Sequence, residues 1–158
     1  MPEYLPAGDY LPHAAPMMLL DEVVAVEAES VHCRVKVTEQ GVLAPFLTAE
    51  GHLPGWFALE LMAQTVGVWS GWHSRQRGER AANLGMLLGA RALRSQTRLI
   101  ENGNLLDITM VLLMQDEKFG SFEGEISCAG QVLATARLNT YQPDQQELKQ
   151  LFQQDEME

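Results

Sequence analysis

Basic residues are scarce in this chain: 11 lysines and arginines stand against 21 aspartates and glutamates in 158 residues, a formal charge of −10. That balance opposes nonspecific binding to nucleic acid or anionic lipid, so any acidic partner has to meet a local basic patch. Cysteine is scarce as well. Cys33 and Cys128 show neither metal-ligand spacing nor a disulfide framework, and each sits in a strand-like run where a small core residue is expected. Low-complexity tracts and internal repeats are absent. Met1 to Asp9 has no basic flank followed by an apolar run, so no secretory signal is expected and the cytoplasm is the expected compartment.

What the chain does have is apolar material for one sizeable core, 46% of its residues, which fits a single globular domain. Leu11-Pro12-His13 opens a turn, Pro16 restricts its predecessor, and Met17 to Leu20 begins an apolar run ending in Asp21, a loop feeding a strand. Val23 to Val26 and Val31 to Val37 read as strands, the second alternating Val31, Cys33, Val35 and Val37 with His32, Arg34, Lys36 and Thr38. After a loop from Gln40 to Leu53, the stretch from Pro54 to Trp72 is an apolar helix, too short and interrupted to span a bilayer, closed by the polar run His73 to Glu79. Strands are expected at about Leu84 to Leu99, Leu105 to Gln115, Ser121 to Ala129 and Val132 to Tyr141, with turns at Asn102-Gly103-Asn104 and Ala129-Gly130. One long helix against a curved antiparallel sheet is an α+β architecture. From Pro143 the tail is rich in Gln and Glu, with Leu148, Leu151 and Phe152 at helical spacing, a short helix or a disordered end.

Between Pro54 and Trp72 only Glu60 is ionisable. Gln64 lies four residues on and shares its helical face, so the two form a polar island within reach of one ligand. The alternative is that Glu60 simply complements the positive helix start while Gln64 faces solvent. Pro54 and Gly55 stand at the helix start, where proline loses no hydrogen bond and a glycine amide permits close approach, an oxyanion site or else a plain turn into the helix. Two loop histidines, His13 and His52, could serve Glu60 as a base near neutral pH. His32 and His73 read as structural or solvated.

The run Leu11-Pro12-His13, Pro16, Met17 to Asp21, then Gly51-His52-Leu53-Pro54-Gly55, Glu60-Leu61-Met62-Ala63-Gln64 and Leu88-Gly89 resembles the hotdog-fold 3-hydroxyacyl-[acyl-carrier-protein] dehydratases, and most closely their ApeP-like branch, associated with aryl polyene pathways. The resemblance extends from about Tyr10 to Tyr141. It implies a hotdog domain over residues 1–142 with a polar tail at 143–158, a long central helix wrapped by a curved antiparallel sheet, and acyl tunnels at the interface of a homodimer or of a heterodimer with a related hotdog subunit. It also implies the reaction: a histidine removes the C2 proton of a 3-hydroxyacyl thioester, Glu60 protonates the departing hydroxyl, and the Gly55 amide polarises the thioester carbonyl, with Gln64 and Pro54 lining the substrate site. For Glu60 to hold a proton near neutral pH, burial among Trp56, Phe57 and Leu61 is expected. No metal or organic cofactor is required.

One departure concerns the base. Fatty-acid dehydratases carry their histidine in a Gly-His-Phe-type motif several residues further upstream of the carboxylate, with a segment this chain lacks. That spacing favours His13 over His52. Acyl carrier protein, the implied partner, is acidic, and the densest basic series available to meet it is Arg91, Arg94 and Arg98, which read otherwise as solvated edge residues. Two rival functions use the same framework: a hotdog acyl thioesterase, and a weakly catalytic acyl-binding subunit held beside an active relative.

Overall fold

A computed structural model describes residues 4–7, 18–78, 86–95, 99–116 and 118–141, the backbone alone over 86–95. The elements run β1 (Glu22–Val26), β2 (Ser30–Lys36), a single 3-10 turn (Ala44–Phe46), β3 (Leu53–Pro54), α1 (Phe57–Gln76), β4 (Met86–Ser95), β5 (Leu99–Ile100), β6 (Leu105–Gln115), β7 (Phe119–Cys128) and β8 (Gln131–Tyr141). Six strands form one antiparallel sheet in the order β1-β2-β6-β7-β8-β4, and β3 pairs with β5 apart from it. This is the α+β hotdog arrangement, with α1 lying across β6, β2 and β7.

Period-two alternation decides which strand residues face the helix. In β2, Val31, Cys33 and Val35 are buried while His32, Arg34 and Lys36 point away; in β6, Leu106, Ile108 and Met110 are fully enclosed. Each such side chain removed from water contributes about 1.5–3 kcal/mol. On the outer face His32 Nε2 and Arg34 Nε converge on Asp107 Oδ1 at 2.7 and 2.9 Å, so His32 is structural. Burial alone would raise the Asp107 carboxyl, but hydrogen bonds and charge from His32 and Arg34 hold it below its ordinary value. The Cys33 thiol lies inside, where burial pushes its pKa up to about 12 against a small opposing effect of Thr65. It is a neutral core group, whereas Cys128 is half-buried.

The helix runs four residues beyond Trp72, through the polar residues expected to close it. Trp69 and His73 explain the extension: Trp69 Nε1 and His73 Nε2 both donate to the Glu27 carbonyl, at 3.2 and 2.9 Å, and their rings meet at a tilt of 58° with centroids 4.6 Å apart. The last turns are thereby tied to the β1–β2 turn. The expected strand from Leu84 to Leu99 is also corrected. β4 stops at Ser95, and Leu99–Ile100 leaves the large sheet to pair with β3. The Ala129-Gly130 turn has positive φ at both residues, 53° and 82°, the conformation that a tight hairpin needs. The tail from 143 lies outside the described residues.

Extra residues interrupt the pairing of β1, β4, β6 and β8, and such bulges bend and twist strands. At Gly124 the backbones of β6 and β7 come so close that a Cβ would strike the Thr109 carbonyl and stand 2.9 Å from Met110 Cα. Gly124→Ala therefore forces two paired strands apart and is expected to cost about 1–3 kcal/mol, as overpacking does. Urea unfolding monitored by tryptophan fluorescence checks this; an unchanged midpoint would mean that the strands give way freely.

Candidate active site

The segment leading into α1 is fixed before the helix begins. Leu53 pairs with Ile100 and Pro54 with Leu99, so Pro54 belongs to a short buried strand and is not the first helical residue. Extended pairing suits it, because proline's fixed φ is compatible with a strand at an edge. Gly55 and Trp56 turn the chain, Trp56 is the N-cap with φ −65° and ψ −17° and no side-chain cap, and the Ala58 amide donates to the Gly55 carbonyl at 3.1 Å. Gly55 is buried two residues before the helix proper.

Glu60 lies in the first turn of α1, where the positive end of the helix favours a carboxylate. Gln64 is 2% exposed. Its Oε1 accepts the Leu19 amide at 2.9 Å, and its Nε2 donates to Glu60 Oε1 at 3.3 Å. The polar island is therefore real, and Gln64 does not face solvent. Because a backbone N–H can only donate, it fixes which end of the carboxamide is oxygen and so aims the NH2 at Glu60. The expected enclosure of Glu60 is only partly present: Leu61 is fully buried and Phe57 half-buried, but Trp56 is 75% exposed and Glu60 itself is half-buried. Phe57 stands between Phe46 at 5.3 Å and Trp56 at 6.0 Å, an aromatic row beside the helix start.

Of the two histidines, His52 is described. It is half-buried, and its Nδ1 accepts the backbone amide of Asn102 at 3.1 Å. His13 lies outside the described residues, as do Leu11, Pro12, Pro16 and Arg98. Arg91 and Arg94 fall on β4, opposite Arg137 and Thr135 of β8; Arg137, which sequence reasoning did not add to this basic series, also reaches Glu123 at 3.2 Å. Sequence reasoning also missed the Leu19 amide and Asn102. A backbone donor leaves no residue signature, and Asn102 was legible only as a turn former. Among the described residues no group of three or more His, Cys, Asp or Glu is placed to hold a metal, and no helix is long and apolar enough to cross a membrane.

Chemically, the arrangement offers a carboxyl held by a fixed carboxamide on the helix face that follows Gly55. The model of the ApeP-like family, described as ApeP dehydratase, matches residues 5–153. The dehydratase heterocomplex ApeI:P from Xenorhabdus doucetiae contains a chain 61% identical to this one, with a TM-score of 0.89, covering 95% of this chain and 99% of that one. The TT0310 protein from Thermus thermophilus shares the fold at 16% identity and a TM-score of 0.57, covering 77% of this chain and 91% of its own. A hypothetical thioesterase with coenzyme A from Streptococcus pneumoniae does so at 16% identity and 0.59, covering 78% and 86%. Comparison with curated proteins returns no match.

Gln64→Leu keeps the volume of the side chain but strands the buried Leu19 amide. The expected loss is about 1–3 kcal/mol, the cost of an unsatisfied buried donor. Thermal unfolding checks it, and a variant as stable as the parent would show that the Leu19 amide finds another acceptor.

Proposed function

The chain belongs to the ApeP-like dehydratase family, and from that premise we propose that it removes water from a 3-hydroxyacyl thioester carried on acyl carrier protein, yielding the trans-2-enoyl thioester in aryl polyene biosynthesis. The observation that carries this reading is the Glu60–Gln64 pair at the start of α1, following Gly55. Dehydration needs a base for the C2 proton, an acid for the departing hydroxyl and a donor for the oxygen on which charge builds. Glu60 is the acid. The Gly55 amide is the donor, and Pro54, paired in β3, fixes where that amide lies.

The base in this reading is His13. It precedes by six positions Leu19, whose amide bonds Gln64, so the chain length allows His13 to come within reach of that bond, the two being at most roughly 20 Å apart. His52 is a poorer candidate because the Asn102 amide occupies the lone pair of Nδ1. A second subunit completes the site: Glu60 is half-buried and Trp56 is 75% exposed in the single chain, more open than a site that must hold a proton on a carboxyl. The heterocomplex formed by the 61% identical relative favours a related hotdog subunit in that place, and the pair is expected to work in the cytoplasm.

Glu60→Gln retains shape and removes the proton source. Turnover of a 3-hydroxyacyl thioester, followed by enoyl absorbance with the partner subunit present, is expected to fall by roughly a hundred- to ten-thousandfold. Near-parental dehydration by Glu60→Gln would remove Glu60 from the mechanism, and release of free thiol without alkene would identify a thioesterase.

Carrier recognition is expected to rest on Arg91, Arg94 and Arg98, the densest basic series in a chain whose net charge of −10 opposes an acidic carrier overall. Reversing Arg94 and Arg98 to Glu should weaken use of the carrier-bound substrate at low salt while leaving a small thioester mimic unaffected. Equal losses on both substrates would mean a disturbed tunnel, and unchanged kinetics on both would place docking elsewhere.

A further inference from the structure

Residues 51–54 are zipped against residues 99–102 by successive contacts. Asn102 Nδ2 donates to the Gly51 carbonyl at 2.9 Å and the Asn102 amide donates to His52 Nδ1 at 3.1 Å; Leu53 then pairs with Ile100 and Pro54 with Leu99. The turn that carries Asn102 is itself anchored, because Gly103 donates to the Val37 carbonyl at 2.8 Å and Val37 donates to that of Asn104 at 2.9 Å. On its other side the loop closes on Thr48, which accepts the His52 amide at Oγ1 and donates its own amide to the His52 carbonyl. Gly51 has φ +85°, and a Cβ there would lie 2.7 Å from Glu39 Oε1 and 3.0 Å from Asn102 Nδ2. Glycine is what lets Asn102 close so tightly.

The chemistry of the ring settles what His52 can do in this position. A backbone N–H only donates, so Nδ1 presents its lone pair and the neutral ring carries its proton on Nε2. A histidine that takes a proton at Nε2 needs the opposite tautomer, with Nδ1–H held by an acceptor. We propose that His52 is a positioning residue, whose Nδ1 latches the strand leading into Gly55 onto the Asn102 turn and so sets where the Gly55 amide lies relative to Glu60. Two buried, paired residues, Leu53 and Pro54, connect the latch to that amide, and an amide displaced by an ångström stabilises a developing oxyanion far less well. The role in catalysis rests on the proposed dehydratase site; the latch does not.

Asparagine separates the two possibilities, since its Oδ1 falls where Nδ1 of histidine lies and accepts the same amide, but it cannot act as a base. In the full chain, with the partner subunit where activity requires it, His52→Leu is expected to lower kcat by about ten- to a hundredfold with KM shifted less than about twofold, the signature of a misplaced catalytic group. His52→Asn should restore most of that loss. Amide exchange at Asn102, read by NMR without substrate, should quicken in His52→Leu and return towards the parental rate in His52→Asn. Asn102→Ala, which opens only the bond to Gly51, should lower kcat in the same direction and add less than its full effect to His52→Leu. The proposal is overturned if His52→Asn is as inactive as His52→Leu while its Asn102 amide stays protected, because the ring's own proton would then be needed. Parental kcat in His52→Leu overturns it equally. If His52→Leu does not fold, His52→Asn against the parent decides. Failure of Glu60→Gln to impair dehydration would sink the proposed acid and leave the exchange result at Asn102 standing, so the two readings fail separately.

Discussion

A helix that is apolar on nearly every side cannot stand in water, and everything else in this fold follows from enclosing α1. Leu61, Met62 and Val68 are fully buried on it, and Trp69 nearly so. A flat sheet covers one face of a helix. Covering more requires curvature, which the bulges in β1, β4, β6 and β8 supply. Gly124 admits the close approach of β6 to β7, and the shared carbonyl of Glu27 pins the far end of the helix to the first hairpin. The sheet is shaped by its cargo.

Inside such an enclosure a polar side chain is tolerated only when its partners are provided. Gln64 shows how strictly this holds: one end takes the Leu19 amide and the other gives to Glu60, so a buried carboxamide spends its hydrogen bonds organising a carboxyl. The site's geometry is thus a by-product of polar satisfaction in the core. The same economy operates at the other side of Gly55, where the β3–β5 pairing and the Asn102 turn satisfy a backbone that neither the helix nor the large sheet could serve.

Much of this was legible in the chain. The alternation Val31, Cys33, Val35 against His32, Arg34, Lys36 fixes the faces of β2, β6 ends where its apolar run ends, and a lone carboxylate four residues from a glutamine on an apolar helix marks the polar island. What was not legible has physical causes. β3 and β5 are two residues each, too short for any period to show, so Leu99 merged with the strand before it and Pro54 with the helix after it. The helix outlasts its apolar run because His73 is held by a carbonyl 46 residues away, and the enclosure of Glu60 by Trp56 fails because an N-cap residue with helical φ and ψ carries its ring outward into solvent. Long-range hydrogen bonds to backbone leave no trace in composition.

The fold itself is shared with proteins described as thioesterases at 16–17% identity, so it does not choose between elimination and hydrolysis. The choice rests on water. A carboxyl that must give a proton to a departing hydroxyl works in a dry site, where its neutral form persists; the same carboxylate with a water molecule beside it activates that water against the thioester. In the single chain Glu60 is half-buried. The fixed donor from Gln64 occupies one carboxyl oxygen, and Trp56, four residues earlier in the chain, is the most exposed large apolar side chain among those described. A second subunit that covered that indole together with the carboxyl would exclude water from both, and elimination, unlike hydrolysis, has no use for a water molecule beside the thioester.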